Sequence, residues 1–256
     1  MNLIYDDAPF EVGGKRDGRM LLAVGIGLSL CALLMLIAAG VGTRFGVWHF
    51  RTGFAILKYA AYGGMAAILV DLAGLVSVIY KGSAMRLVMV MVAGAMAITA
   101  VAVPFLWNQS AERLPRIHDI STDLDNPPRF VAVLPLRLGA TNPVEYGGAE
   151  VAAEQRLAYP DLKTLVLDIP ADQAFTQALA AVSRLHWAIV ATAPDEGRIE
   201  ATDTTFWFGF KDDIVIRIAQ AEDRARVDIR SLSRVGISDV GTNARRIRAF
   251  LEILSS

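Results

Sequence analysis

Three apolar runs of membrane length occupy most of the first 107 residues. Met20–Thr43 carries no charge over 24 residues and Leu87–Ala111 none over 25. Phe54–Tyr80 is interrupted only by Lys58 and Asp71. As a helix rising about 1.5 Å per residue, each is long enough to cross a hydrocarbon core of roughly 30 Å. Three helices are therefore expected, Met20–Thr43, Gly53–Tyr80 and Ala84–Trp107, the last two joined by the tight turn Lys81-Gly82-Ser83. Phe45, Trp48, Tyr80 and Trp107 stand near the ends, where interfacial anchors belong.

The remaining residues have a different composition. Residues 1–107 carry eight Lys/Arg against five Asp/Glu, whereas residues 108–256 carry 17 against 21. A mildly acidic domain has no broad basic face for phosphates, which argues against nucleic acid as a partner. The expected organisation is an N-terminal segment (1–19), a three-helix membrane region (20–107) and a soluble domain (108–256) with an ordered, extended lead-in (108–160). Cys31, the sole cysteine, lies in the first apolar run, so no intramolecular disulfide or cysteine-based metal site can form. The first run is too long for a signal-peptide core and is read as a retained helix.

Orientation is finely balanced. Five basic residues (Lys15, Arg16, Arg19, Lys81, Arg86) flank one side and five (Arg44, Arg51, Lys58, Arg113, Arg116) the other. The compact Lys15-Arg16-Asp17-Gly18-Arg19 cluster favours a cytoplasmic N-terminus, which places the C-terminal domain in the periplasm of a bacterial inner membrane. Asp71 inside the second run costs several kcal/mol unless paired, hydrated or protonated. Small residues around it (Gly63, Gly64, Ala66, Ala67, Gly74) favour a helix-packing or subunit contact, with Tyr62, Ser77 or backbone as partner, over an ion site.

The lead-in is rich in proline yet contains the apolar run Phe130–Leu134, so it should lie against the domain. Ala149–Arg156 suits a short helix. Asp172–Leu185 has a helical apolar stripe. Strands are expected over Trp187–Thr192, Arg198–Phe208, Asp213–Ala219 and Ala225–Val235, with a glycine-free turn at Gln220–Arg224. A closing helix, Val240–Leu254, carries Val240, Ala244, Ile247, Leu251 and Leu254 on one side. This order predicts an α+β fold: a three-helix transmembrane unit, then an antiparallel sheet sandwich with helices packed on one face.

Candidate chemistry concentrates in two strands. Alternation puts Asp228, Arg230, Leu232 and Arg234 on one side, and antiparallel pairing would add Asp213 and Arg217. These arginines can clamp a carboxylate or phosphate near a helix N-terminus, or form an internal salt-bridge network that fixes register. Ser238 or Asp239 can cap the last helix. Arg245-Arg246-x-Arg248 reads as a solvated helix face, with contact to phosphate headgroups as the alternative. His118, Asp119, Asp123 and Asp125 cluster in sequence but lack metal-ligand spacing, so no metal or cofactor is expected. The ligand-binding candidates are Arg217, Arg230, Arg234, Trp207, Asp213, His118 and Asp119, with Asp71 as the intramembrane interface candidate.

Several ordered motifs resemble the bacterial domain of unknown function 1499 family. They are Leu114-Pro115-Arg116-Ile117-His118-Asp119-Ile120-Ser121-Thr122-Asp123, Pro127-Pro128-Arg129-Phe130, Tyr159-Pro160-Asp161, Gly197–Thr202 and Phe208-Gly209-Phe210. The run Val227–Gly236, with Asp239, Gly241, Asn243, Arg246 and Ile247, completes them. The resemblance covers roughly residues 112–254 and implies an envelope-associated domain without an established reaction, to which His118–Asp123 belongs. Ile237 departs from it, since a polar or basic residue is expected there.

The leading expectation is a non-enzymatic inner-membrane protein whose periplasmic domain binds a protein, lipid or envelope partner. Exposed Trp207, Phe208 and Phe210 beside Lys211 would support a membrane-facing or ligand-facing edge. An accessory subunit of a larger membrane complex, or a homo-oligomer assembled through the helices, is the alternative. A hydrolase using His118, Asp119 and Asp123 near Arg230 is the third, and requires those groups to converge.

Overall fold

The computed structural model describes residues 14–81 and 84–255. Most of the N-terminal segment 1–19, and Gly82 and Ser83 of the expected turn, lie outside the described residues. The chain divides into two compact units, Met1–Leu106 and Trp107–Ser256.

In the first unit, α1 (Gly14–Arg44) packs along α2 (Phe50–Lys81), and α3 (Ala84–Arg113) follows. All three are long and apolar enough to cross a membrane. Small side chains (Ala32, Ala39, Ala60, Ala67) fill the buried seams, and large ones such as Leu69, Leu72 and Ile79 face outward. That is the arrangement expected of helices solvated by lipid. Buried Asp71 accepts a hydrogen bond from Ser29 Oγ of α1 at 2.8 Å. The partner thus lies on the neighbouring helix. Tyr62 and Ser77, nine and six residues away on α2, project from other sides of it, and Ser77 Oγ bonds back to Ala73 O.

The second unit is an α+β domain around an antiparallel sheet, as the strand and helix pattern predicts. β3 (Ala188–Ala193), β4 (Arg198–Thr204), β5 (Lys211–Ala221) and β6 (Arg224–Ser233) run in order as a meander. Two strands of three residues that periodicity did not reveal, β1 (Asp119–Ser121) and β2 (Leu165–Leu167), pair with successive halves of β6. Register is set by β5 and β6: Arg217 faces Asp228, Val215 faces Arg230 and Asp213 faces Leu232. Gly197 makes the β3–β4 turn possible at φ 59°, where a Cβ would fall 1.9 Å from Ile218 O.

One face of the sheet carries Ile199, Ala201, Ile214, Ile216, Ile218, Val227 and Ile229. α5 (Ala171–Arg184) covers it with Ala174, Ala178, Ala181 and Val182. α6 (Thr242–Leu254) adds Ala244, Ile247, Phe250 and Leu254. Phe250, not Leu251, is the fully buried member, and its ring stacks on Trp187. Val240 falls outside the helix with φ 51°, because the chain turns sharply at Val240-Gly241 before α6. Asp239 caps that turn, Oδ1 accepting from Gly241 N and Oδ2 from Asn243 N.

The other face is covered by the lead-in. Phe130 and Val133 rest on Val215 and Leu232, just before a 3-10 turn at Leu134–Arg137. α4 (Gly148–Ala158) then places Gln155 against β1, where its amide exchanges hydrogen bonds with the Ser121 backbone.

Candidate functional site

Parity along β4, β5 and β6 turns Glu200, Thr202, Asp213, Arg217, Asp228, Arg230 and Arg234 towards the lead-in, away from the helices. A sheet face this charged would normally lie in water. Here residues 119–146 cover it, and the charges are satisfied by partners from that segment and by one another.

Glu200, wholly buried, accepts hydrogen bonds from the backbone N–H groups of Val131, Ala132 and Val133 at 2.9–3.2 Å, and it pairs with Arg198. Successive N–H groups of this kind form an anion cradle, and the protein's own carboxylate occupies it. Asp213 is bracketed by Arg137 Nη1 (2.6 Å), Arg234 Nε (2.9 Å) and Nη2 (2.8 Å), and Thr202 Oγ (2.8 Å). Arg230 forks onto Asp119 and donates to the Pro128 and Val144 carbonyls. Its guanidinium also lies over the rings of Phe130 and Tyr146, 5.0 and 5.4 Å from their centroids. Arg217 bridges Asp228 and Asp123, both at 2.8 Å. The second oxygen of Asp228 takes Thr122 and Thr164 hydroxyls.

Burial pushes the Asp123 carboxyl up, but the Asn126 N–H and Arg217 outweigh it and hold the group below the usual range. Burial, with Asp119 nearby, raises the Tyr146 phenol to about 12. The Tyr146 hydroxyl is enclosed without a hydrogen-bond partner.

A second charged group lies on the helix side. Arg246 is buried and joins Asp203 and Asp212, both at 2.7 Å, with Ser231 and Asn243 alongside. The solvated-face reading of Arg245-Arg246-x-Arg248 is corrected at its middle residue, because the start of β5 and the end of β4 present two carboxylates to it. Burial raises Asp212 despite Arg246.

The residues expected to carry chemistry are therefore only partly brought together. Arg230 with Asp119, and Arg234 with Asp213, meet directly. His118 does not join them; its Nδ1 faces Ile237 O at 3.2 Å. Asp123 turns to Arg217, and Asp125 to Arg156. Among the described residues no group of three His, Cys, Asp or Glu could hold a metal. The expected strand through Phe208 ends at Thr204, and 205–210 is a closed turn with Thr205 N bonded to Phe210 O. Trp207 packs on Trp107 and Phe208, and Phe208 is buried. Phe206 is the exposed aromatic of the turn, at 92%.

Local sequence does not signal Glu200, Arg198 or Arg137 as site residues, nor the pairings Asp123–Arg217 and Arg246–Asp212. Glu200 has a readable position, on the side of the alternating strand opposite Ile199 and Ala201.

These features define an α+β domain with an internally neutralised charged face, carried behind three hydrophobic helices. Residues 119–254 match the family model described as "protein of unknown function (DUF1499)", and the chain belongs to that family. The match opens at Asp119, the partner of Arg230, so it takes in the lead-in from that residue onward. No curated protein matches the chain.

Proposed function

We propose that this chain is a non-enzymatic, multi-pass protein of a bacterial inner membrane, with its N-terminus in the cytoplasm and its α+β domain in the periplasm. There the domain binds a protein, lipid or envelope partner. One observation carries this reading: the polar groups best suited to chemistry are spent on one another. Asp119, Asp213, Arg217, Arg230 and Arg234 all have short internal partners, whereas Phe206, Leu138 and Ile237 stand exposed. Groups committed to ion pairs tie the lead-in to the sheet and are poorly placed to move protons. Exposed apolar side chains are what a recognition surface offers.

The full chain, extracted in mild detergent and measured by native mass spectrometry, tests this. A retained stoichiometric protein or lipid supports the proposal. A bare chain that hydrolyses envelope esters, and loses that activity in Asp119→Asn or Asp123→Asn, would overturn it.

A further inference from the structure

The two edges of the sheet are finished differently. On one side β1 and β2 cover successive halves of β6. The Gln155 amide then closes β1 in its turn, accepting from Ser121 N and donating to Ser121 O. On the other side the sheet ends at β3, and among the described residues no strand lies beyond it. Ala188–Ala193 contains no charge and no proline, the residues that commonly keep an edge from pairing with another chain. It does contain a bulge, since its register with β4 shifts between Ile189 and Ala191.

The ladder decides which β3 groups face outward. Ile218 N donates to Gly197 O at the start of β4. Alternation then turns the backbone of Ile199, Ala201 and Asp203 towards β5, and that of Arg198, Glu200 and Thr202 towards β3. The partners of the latter three, Ala193, Ala191 and Ala188, spend their polar groups on β4. The N–H and C=O of Ile189 and Thr192 are left pointing away from the sheet. The bulge sets these two residues on either side of Val190-Ala191, and that spacing is self-complementary. In an antiparallel second copy, turned about an axis between 190 and 191, Ile189 meets Thr192 of the second copy and Thr192 meets its Ile189. Both side chains lie on the helix side of the sheet, because they pair with Ala201 and Ile199, so the faces of the two sheets match.

Charge fits the same operation. Arg184 and His186 precede β3, Asp195 and Glu196 follow it, and all are exposed. Glu196 holds Arg198 at 2.9 Å and its side chain is still 62% open to solvent. In the register just described, His186 comes opposite Asp195 of the second copy, and Arg184 comes opposite its Glu196 region. The basic start of each strand thus lies along the acidic end of the other. This complementarity belongs to antiparallel self-pairing, and selects a second copy over an unrelated extended peptide.

We propose that the α+β domain pairs with a second copy of this chain, edge to edge and antiparallel through β3, so that one sheet runs through both domains. The contact is separate from the partner surface argued above and from any contact between the helices.

The test uses the full chain in mild detergent with Cys31→Ala. The double variant Ile189→Cys/Thr192→Cys places thiols at paired positions, whose Cα atoms in such a ladder lie about 5.5 Å apart, within disulfide reach. Mild oxidation should link the copies into a dimer that reductant reverses, and neither single cysteine should do so. Ile189→Lys, which puts a charge on the edge, should bring the mass by light scattering from dimer to monomer with circular dichroism unchanged. Arg184→Glu, which makes both ends acidic, should weaken the dimer several-fold. A monomer at every concentration overturns the pairing. A dimer that fails to link through 189 and 192, or that survives Ile189→Lys, overturns it too, because the copies then meet elsewhere. If Ile189→Lys does not fold, the cross-linking result decides alone.

Discussion

Arg230 and Asp119 meet through two parallel bonds, Nε to Oδ1 at 2.9 Å and Nη2 to Oδ2 at 2.7 Å, with both side chains almost closed to solvent. The pair joins β6 to the first strand of the lead-in, 111 residues earlier in the chain. Removing one member of a buried pair strands the other charge. Asp119→Ala or Arg230→Met should each cost about 3–5 kcal/mol. The double variant Asp119→Leu/Arg230→Met should recover most of that, leaving about 1 kcal/mol for the Pro128 and Val144 carbonyls that lose a donor. Thermal unfolding of the purified chain in detergent reads the difference; a double variant that loses the sum of the two single losses would mean that the two are not coupled.

Glu200 holds three consecutive backbone N–H groups of the lead-in. Hydrogen bonds to a charged group contribute about 1.5–3 kcal/mol each. In Glu200→Ala, amide exchange at 131–133 should rise at least about tenfold, which corresponds to 1.4 kcal/mol, and Arg198 loses its buried partner. Unchanged protection there would show that Phe130 and Val133 hold the segment by packing alone.

The acid limb of stability should carry an Asp123 component. Its folded-state carboxyl titrates below the ordinary value of 3.8. Its contribution is therefore present above that value and lost as pH falls through the depressed folded value. In Asp123→Asn this loss should be absent, so melting-temperature curves of variant and parent should converge at low pH. Curves that stay parallel would contradict the assignment.

Tyr146 predicts the opposite limb. Its folded phenol is raised to about 12 from 10.0, so its contribution is complete below pH 10 and lost as pH rises through about 12. Tyr146→Phe should flatten that alkaline decline. At neutral pH it should cost nothing, because the hydroxyl removed is enclosed and unpartnered. A destabilised Phe variant at pH 7 would reveal a hydrogen bond to that hydroxyl.

Within the helical unit, a Cβ at Gly25 would lie 2.2 Å from Asp71 Oδ1. Gly25→Ala should therefore cost roughly 1–3 kcal/mol, as overpacking does. Adding Asp71→Ala should relieve much of that, a coupling that double-mutant melting in detergent would detect. Additive losses would mean that the two helices part at this level.

The parts of this architecture legible in the sequence are those written in short-range periodicity. Apolar runs over Met20–Thr43 and Leu87–Ala111 mark their helices because hydrophobic length is a property of one segment. Alternation in β5 and β6 was enough to place Arg217, Arg230 and Asp213 on a shared face, because side-chain parity in a strand is invariant. The two three-residue strands β1 and β2 were not legible, since three residues carry no period and exist as strands only because β6 offers a free edge. The expected strand Arg198–Phe208 is too long for a related reason: the turn closed by Thr205 and Phe210 ends the alternation at Thr204, short of the aromatic residues.

What the sequence determined by itself was which stretches seek lipid, which seek a core, and which side of a strand each charge occupies. Those are consequences of composition and period. Tertiary structure decided which charge met which: Glu200 with the 131–133 backbone, Arg137 with Asp213, Arg246 with Asp203 and Asp212, Asp71 with Ser29. Such partners lie tens of residues apart, or are backbone groups without a residue signature. Only strand register and loop closure bring them within reach of a hydrogen bond.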